Sequence, residues 1–279
     1  MESIAVLGPI GTFSDEAKNQ FQIIVKHSYD SLYCSTMEEV INAVKTKAIL
    51  AIVPIENTLD GYVQRNLDLL LQSEVSVIGE LTIPIQFSMV ANAKNIKDVN
   101  KIFVQYVAKG QCNEFFKTIP NVKIITTESN SESFQLFSKG IDHEGAIIPF
   151  HLFNSQPIKF GIENVTDSFH NETRFLIVKK GSFDQNLNIL DKKNQLKVSL
   201  VVKEADDKPG VLFSILEEFS KRKINLISIM SRPTKEHMGK YNFFIELVAT
   251  LEDQEIIFLT IQQLSVKYFI KVLGIYPKI

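Results

Sequence analysis

Apolar and polar residues follow two alternating periods along the first 180 positions of the chain. Short apolar runs, which favour buried strands, alternate with segments whose apolar residues recur every three or four positions, which favour helices. The predicted strands are 3–8, 27–34, 48–55, two runs within 75–91 that break near Pro84, 101–105, 122–127, 145–150 and 173–180. The predicted helices are one that begins near Phe13, 36–47, 61–73, one that ends near Lys117, and 129–139. This regular order predicts an α/β architecture.

Two of these helix starts carry a capping signal. Thr36 with Glu39, and Ser129 with Glu132, have the spacing at which a hydroxyl and a carboxylate satisfy the first N–H groups of a helix. Gly140 predicts the end of the second of these helices.

After residue 180 the pattern stops and then restarts. Residues 181–195 are polar and without a clear period, which predicts a linker. The strands predicted beyond it are 196–202, 225–232, 240–250 and 266–276, and the helices are 208–223 and 252–263. The first strand alternates apolar and polar residues, so we expect it to be half-buried. The order β-α-β-β-α-β predicts a ferredoxin-like α+β domain.

Composition narrows the class of protein. The chain has 279 residues, 45% hydrophobic and 22% charged, which is typical of about two globular domains. Its formal net charge of -2 argues against nucleic acid as a partner. Two cysteines, no signal-peptide pattern at the start and no long apolar run predict a cytoplasmic protein without a membrane contact.

The stretch "VPIENTLDG" (53–61) is the first candidate for chemistry. A strand that is apolar throughout, and so expected to be covered on both faces, ends in Glu56, Asn57 and Thr58. Functional side chains often lie on such loops, but a plain strand-to-helix loop with Asn57 or Thr58 as a helix cap fits the same letters. Both interpretations remain open from this stretch alone.

Three further stretches each allow a functional and an ordinary interpretation. "LGPIGTFSDEA" (7–17) is either an anion-binding helix start or a turn capped by Thr12 or Ser14. In "NETRFLIV" (171–178), Thr173 and Arg174 open an apolar strand, and Arg174 is either a site residue or a solvated strand edge.

"KGQCNEFF" (109–116) places Gln111 and Cys112 in the first turn of a helix. Cys112 is either a reactive thiol or apolar filler, and no histidine lies near it in sequence. The five histidines are scattered without metal-ligand spacing, so we expect no metal site.

Four motifs in order resemble the prephenate dehydratase family: "GPIGTFS" (8–14), "PIENTLDGYVQRNLDLL" (54–70), "QC" (111–112) and "TRF" (173–175). The C-terminal part resembles the ACT regulatory domain of that family through "GVLFSIL" (210–216) and "SRP" (231–233). No chorismate mutase region precedes these motifs, so the resemblance is to the monofunctional form.

This resemblance implies a fold and a division into domains. Residues 1–180 would form a two-lobed catalytic domain like a type II periplasmic binding protein, followed by a linker (181–195) and an ACT domain (196–279). The first lobe would cover about 1–80 and 160–180, the second about 81–159, and the active cleft would lie between them.

The resemblance also implies a reaction. Prephenate loses its ring carboxylate as CO2 and its ring hydroxyl as water, which gives phenylpyruvate on the route to L-phenylalanine. Aromatisation drives the step, so no metal or cofactor is needed. The catalytic residues expected are Thr173 as the donor to the leaving hydroxyl, Glu56 as a proton reservoir that feeds it, and Asn57.

The site must also bind a dianion, which suits N–H groups at the "GTFS" turn together with amides and a guanidinium. The substrate-binding residues expected are Thr12, Phe13, Ser14, Thr58, Gln111, Cys112, Arg174 and Phe175.

The ACT resemblance implies feedback regulation by L-phenylalanine in a homodimer or homotetramer. The effector would bind where the first strand-helix turn of one subunit meets its neighbour, with its carboxylate at the helix start and its ring on apolar residues. The residues expected to bind it are Pro209, Gly210, Val211, Leu212, Met230, Ser231, Arg232 and Pro233.

Three departures from the family pattern keep two alternatives open. The family's Ser-His-Pro run before "QC" is replaced by Gln105, Tyr106 and Val107, Ile148 and Pro149 occupy a stretch that is usually small and polar, and Met230 replaces a glutamate. One alternative is an arogenate dehydratase, which performs the same elimination on the amino form of the side chain. The other is a non-catalytic amino-acid sensor on the same scaffold.

Overall fold

The computed structural model describes residues 2–153, 157–183, 195–235 and 238–279. Most of the linker predicted over 181–195 therefore lies outside the described residues. The chain forms two compact units. The first comprises residues 1–40, 52–63 and 82–175, and the second comprises residues 41–51, 64–81 and 176–279.

Up to residue 84 the elements follow the predicted alternation of strands and helices. They are β1 (Ser3–Leu7), α1 (Phe13–Val25), β2 (Asp30–Cys34), α2 (Met37–Thr46), β3 (Leu50–Asn57), β4 (Gly61–Tyr62), α3 (Gln64–Gln72) and β5 (Val75–Pro84).

From residue 87 to residue 180 the alternation continues. The elements are β6 (Phe87–Ala91), β7 (Lys101–Gln105), α4 (Tyr106–Gly110), α5 (Asn113–Lys117), β8 (Lys123–Thr127), α6 (Asn130–Phe137), β9 (Glu144–Pro149), β10 (Phe160–Ile162) and β11 (Glu172–Lys180). Two short 3-10 helices, Ile96–Asp98 and Phe150–Leu152, interrupt the connections.

These strands form two mixed sheets. The first has the order β2-β1-β3-β11-β5 with β4 beside β3, and the second has the order β10-β6-β9-β7-β8. The chain passes from the first sheet to the second between β5 and β6, and it returns between β10 and β11. This arrangement confirms the predicted two-lobed α/β architecture.

The C-terminal residues form a third sheet with two helices. The elements are β12 (Leu196–Asp206), α7 (Val211–Lys221), β13 (Leu226–Pro233), β14 (Lys240–Ala249), α8 (Gln254–Ser265) and β15 (Phe269–Pro277). The sheet is antiparallel with the order β13-β14-β12-β15. The predicted β-α-β-β-α-β order is therefore confirmed, and Ile215 and Phe219 of α7 are buried in the core of this sheet.

Both predicted capping boxes form. The Thr36 hydroxyl accepts a hydrogen bond from the backbone N–H of Glu39, and the Ser129 hydroxyl accepts one from the N–H of Glu132. A carboxylate oxygen of each glutamate accepts a hydrogen bond from the backbone N–H of the residue before the hydroxyl residue, which is Ser35 or Glu128. In an ideal capping box the donor would be the hydroxyl residue itself. The boxes fix the starts of α2 and α6.

The prediction that β12 is half-buried was wrong. Val198 and Val201, on opposite faces of this strand, are both fully buried. Within the second unit, the neighbouring β15 packs closely against β5, since a Cβ atom on Gly274 would lie 2.3 Å from the carbonyl oxygen of Val77. The sheet is therefore covered on both faces, which an alternating sequence pattern does not reveal.

One helix prediction was wrong, and two short strands were not predicted. The helix expected to end near Lys117 is two short helices, because the chain leaves helical geometry at Cys112. The Asp167 carboxylate accepts hydrogen bonds from the backbone N–H groups of Asn113 and Glu114 and so starts α5. The short strands β4 and β10 were not predicted, because two or three residues give too little pattern.

None of the helices in the described part of the chain is long and apolar enough to cross a membrane.

Candidate functional site

The end of β3 and the start of β11 lie side by side. The backbone N–H of Thr58 donates to the carbonyl of Glu172 over 2.9 Å, and the Thr58 hydroxyl also contacts the backbone of Glu172. This pairing brings Asn57 next to Thr173, although 116 positions separate the two residues in the sequence. The two most specific sequence motifs therefore meet at one place.

The Asn57 carboxamide has a defined orientation. Its Oδ1 accepts hydrogen bonds from the backbone N–H groups of Leu59 and Asp60, at 2.9 and 3.2 Å. Its Nδ2 donates to the Oγ1 of Thr173 over 2.9 Å. Because the Thr173 oxygen is the acceptor in this bond, its own hydroxyl hydrogen is available for another partner.

Glu56 and Arg174 face each other. The Arg174 Nε donates to Glu56 over 3.0 Å, and its guanidinium also contacts the Tyr62 hydroxyl. Successive strand residues point to opposite faces, so Arg174 lies on the other side of β11 from Thr173. The two side chains therefore engage each other on this side of the strand, whereas the sequence predicted a proton store for Glu56 and an anion contact for Arg174.

The turn before α1 is held from within the chain. Thr12 caps the helix by accepting a hydrogen bond from the N–H of Asp15, and the Asp15 carboxylate accepts one from the N–H of Gly11 over 2.9 Å. Burial pushes the pKa of Asp15 up, but hydrogen bonds from Gly11, Lys18 and Tyr33 outweigh burial and lower the pKa below its usual value. The buried Lys18–Asp15 pair therefore fixes this turn.

Gln111 and Cys112 have different surroundings although they are neighbours. Gln111 lies at the end of α4, and its Oε1 accepts a hydrogen bond from the Nδ2 of Asn171 over 3.1 Å. Cys112 is fully buried, and burial, with a smaller contribution from Asp167, raises the pKa of its thiol to about 12. Such a thiol is not a nucleophile at neutral pH, so the ordinary interpretation of Cys112 as buried filler is favoured.

A cavity of about 300 Å³ opens where these elements meet within the first unit. Seven of the predicted site residues line it: Thr12, Phe13, Ser14, Asn57, Gln111, Thr173 and Phe175. The remaining lining residues are Leu7, Pro54, Asp60, Val63, Ile85, Phe87, Gln105, Val107, Ala108 and Asn130. Glu56, Thr58, Cys112 and Arg174 were also predicted for the site, but they do not line this cavity.

The described lining of the cavity contains no lysine or arginine, and Asp60 is its one charged side chain. Hydroxyls, carboxamides and the start of α1 are thus the groups that a ligand would meet. Within the described ranges, no three histidine, cysteine or acidic side chains form a group that could hold a metal ion.

Three polar residues of the site were not among the predicted site residues. Gln105 lines the cavity and caps α4 through its Oε1, which accepts from the N–H groups of Val107 and Ala108. Asn130 lines it at the start of α6, and its Oδ1 is buried without a hydrogen-bond partner among the described residues. Asn171 lies fully buried behind Asn57. The capping box before α6 was a signal for Asn130, and Asn171 opens the stretch "NETRFLIV" (171–178), in which only Thr173 and Arg174 were predicted for the site.

In the C-terminal sheet, the predicted effector residues occupy two places. Pro209, Gly210, Val211 and Leu212 form the start of α7, and Met230, Ser231, Arg232 and Pro233 form the end of β13. Gly210 has a φ of 86°, a left-handed conformation that favours glycine. Leu212 is exposed, which leaves it available for contact.

Arg232 is already engaged within the second unit. Its Nη2 lies 2.7 Å from the Asp68 carboxylate of α3, and its Nε contacts the other oxygen of that carboxylate. Burial pushes the pKa of Asp68 up, but hydrogen bonds from Arg232 and Lys235 outweigh burial and lower it. Arg232 therefore ties β13 to α3, a role that the sequence did not indicate.

Comparison with known families gives two matches that together span most of the chain. The model described as "Prephenate dehydratase" matches residues 4–182. The model described as "ACT domain" matches residues 198–257.

Individual proteins are similar over nearly the whole chain. A bifunctional chorismate mutase/prephenate dehydratase of Aquifex aeolicus is 33% identical over 278 residues, which are 99% of this chain and 73% of the relative. A prephenate dehydratase of Methanocaldococcus jannaschii is 33% identical over 273 residues, which are 96% of each chain. The solved structure of a prephenate dehydratase from Arthrobacter aurescens in complex with L-Phe has a TM-score of 0.81 and 25% identity, and it covers 99% of this chain and 90% of that chain.

Proposed function

The chain belongs to the prephenate dehydratase family, and from that premise we propose that its cavity converts prephenate to phenylpyruvate. The observation that carries this proposal is that residues from all four motifs, distant in sequence, line one cavity. The enzyme is a hydro-lyase that acts in the synthesis of L-phenylalanine.

The reaction needs one proton and a donor at the leaving hydroxyl. The bond between the ring and its carboxylate breaks, CO2 leaves, and the electron pair moves through the ring to expel the hydroxyl, which takes up a proton as water. Thr173 is the proposed donor, because Asn57 donates to its oxygen and leaves its hydroxyl hydrogen free to point at the substrate. A threonine hydroxyl is a weak acid, so we infer that it stabilises the departing oxygen by donating a hydrogen bond, and that the proton which completes the water comes from the solvent.

Anion binding is assigned to uncharged donors. The backbone N–H groups at the start of α1, next to Thr12 and Ser14, form the positive end of a helix of 13 residues. Gln111 adds a carboxamide to the lining of the same cavity. Phe13, Phe87 and Phe175 supply an apolar surface that suits the substrate ring.

One observation favours a second candidate, arogenate dehydratase. Arogenate carries an ammonium group in place of the side-chain ketone, so it is less negative than prephenate. The cavity lining includes Asp60 but, among the described residues, no lysine or arginine. This charge balance suits a substrate with an ammonium group as well as one without it.

The test is turnover by the purified protein with each substrate. We expect prephenate to yield phenylpyruvate, detected by ultraviolet absorbance, at the same rate with and without a chelator. Turnover of arogenate alone would identify the second candidate. No turnover of either above the acid-catalysed background would contradict both and favour an amino-acid sensor.

The ACT match supports a regulatory role for the C-terminal part, and for this part we propose L-phenylalanine as effector and a homodimer or homotetramer as the assembly. The solved relative with L-Phe supports the choice of effector. The proposed ligand groups are the N–H groups that follow Gly210 and the apolar side chains of Leu212 and Met230. The proposed domains are 1–180 and 196–279, and the proposed location is the cytoplasm.

Melting curves and inhibition assays with L-phenylalanine against L-leucine test this role. At 100 times Kd the bound effector would stabilise the protein by about 2.7 kcal/mol per site. No melting shift and no inhibition at millimolar L-phenylalanine would leave the ACT domain as an assembly element only.

A further inference from the structure

Asn171 occupies a fully buried position between two residues that line the cavity. Its Oδ1 accepts a hydrogen bond from the Nδ2 of Asn57 over 2.9 Å. Its Nδ2 donates to the Oε1 of Gln111 over 3.1 Å. Its backbone carbonyl accepts from the N–H of Ile85, which anchors the residue just before β11.

The donor and the acceptor of each of these hydrogen bonds can be assigned in only one way. A carboxamide presents either its oxygen or its nitrogen, and its neighbours decide which. The N–H groups of Leu59 and Asp60 hold the oxygen of Asn57, so Asn57 must donate toward Asn171. Asn171 then accepts with its oxygen, and its nitrogen is directed at Gln111.

The hydrogen bonds of Asn57 and Asn171 determine which groups remain free to donate in the cavity. Gln111 accepts from Asn171 with its oxygen, so its Nε2 is the end left for a ligand, and the structure gives this nitrogen no acceptor among the described residues. Thr173 likewise accepts from Asn57, so its hydroxyl is left to donate. The Gln111 carboxamide and the Thr173 hydroxyl can each donate or accept a hydrogen bond, and here both are left to act as donors toward the cavity.

We propose that Asn171 is a positioning residue that makes Gln111 a donor to the anionic substrate. The proposal rests on the proposed function, because a dianion needs donors and the described cavity lining has no cationic side chain. Without Asn171, the Gln111 carboxamide is free to turn and to present its oxygen to the substrate carboxylate, which weakens binding.

A double-mutant cycle between Asn171→Leu and Gln111→Leu tests the coupling without adding a charge. If Asn171 acts through Gln111, each single variant raises KM for prephenate by about tenfold, as for a lost hydrogen bond to a charged group. The double variant then has the KM of Gln111→Leu to within about twofold, because the interaction is lost only once. A purely structural role would lower the melting temperature without this coupling in KM.

The matched control is Asn92→Leu combined with Gln111→Leu. Asn92 also donates through its Nδ2, to the carbonyl of Phe137, but it does not line the cavity. The factors by which Asn92→Leu and Gln111→Leu each change KM should multiply in the double variant. If Asn171→Leu does not fold, Asn171→Ser, which is too short to span both partners, enters the same cycle.

The outcomes separate the two proposals. Multiplied effects of Asn171 and Gln111 on KM, or an unchanged KM in a folded Asn171 variant, would overturn this inference while leaving an active wild-type enzyme. A wild-type protein inactive with both prephenate and arogenate would overturn the proposed function and this inference with it.

Discussion

Replacing Thr173 with valine separates catalysis from stability. Valine keeps the shape of threonine and removes the hydroxyl. In the structure this hydroxyl accepts one hydrogen bond, from the Nδ2 of Asn57, and that nitrogen keeps the Oδ1 of Asn171 and the carbonyl of Glu172 as acceptors. No buried donor is left unpaired, so the free energy of unfolding should fall by about 1 kcal/mol or less.

The catalytic loss should be much larger. If the Thr173 hydroxyl donates to the departing oxygen in the transition state, its removal lowers kcat by ~10²–10³-fold, or about 2.7–4 kcal/mol of barrier. KM should change less, because the bond strengthens only as the hydroxyl leaves. The two free energies differ by several-fold, so one variant distinguishes a catalytic role from a structural one.

The assay follows phenylpyruvate by ultraviolet absorbance over a range of prephenate concentrations, with chemical denaturation measured on the same samples. Thr173→Ser is the control, because it restores the hydroxyl at the same position and should keep kcat within about tenfold of the wild type. A valine variant within about threefold of the wild-type kcat would refute the reasoning and move the donor role to another cavity residue.

Three further predictions concern Asp15, Cys112 and Asp68. Asp15→Asn should lower the free energy of unfolding at pH 7 by about 3 kcal/mol, because it removes the buried negative charge beside Lys18 and leaves that ammonium only neutral partners such as Ser31 and Tyr33. Since the folded pKa of Asp15 is lowered below 3.8, the difference from wild type in melting curves should shrink only as pH falls below about 4, and a constant difference would contradict this. Cys112, with a pKa of about 12, should resist iodoacetamide at pH 8 in the folded protein, and rapid labelling seen by peptide mass spectrometry would show that it is not buried. Asp68→Ala should reduce inhibition by L-phenylalanine more than it reduces kcat, because Arg232 loses its link to α3, and unchanged inhibition would separate that link from regulation.

Local sequence patterns were sufficient where the physical cause is local. The capping boxes at Thr36 and Ser129 predicted two helix starts because hydroxyl, carboxylate and N–H groups all lie within four residues. The break at Cys112 was not predictable in this way. The Asp167 carboxylate that starts α5 is 54 positions from the N–H of Asn113 that it accepts from, so no window around Cys112 contains the cause.

In the candidate site, too, local patterns identified some residues but not the contacts that depend on distant parts of the chain. The motifs identified Asn57, Gln111 and Thr173, and all three line the cavity. The period-two rule for strands already implied that Arg174 points away from the side of β11 that carries Thr173, and applying it would have separated the two residues. No local pattern predicts the partner of Arg174, because its pairing with Glu56 depends on two strands that come together from distant positions in the sequence.

The pairing of Arg174 with Glu56 has a consequence for the proposed reaction. The ring carboxylate of prephenate loses its negative charge as CO2 forms, so a guanidinium bound to it would stabilise the substrate more than the transition state. Uncharged donors such as Gln111 bind an anion with less of this penalty. Because Glu56 holds the guanidinium of Arg174 on the other side of β11, the proposed site would bind its substrate through neutral hydrogen-bond donors and direct the Thr173 hydroxyl at the oxygen on which charge develops.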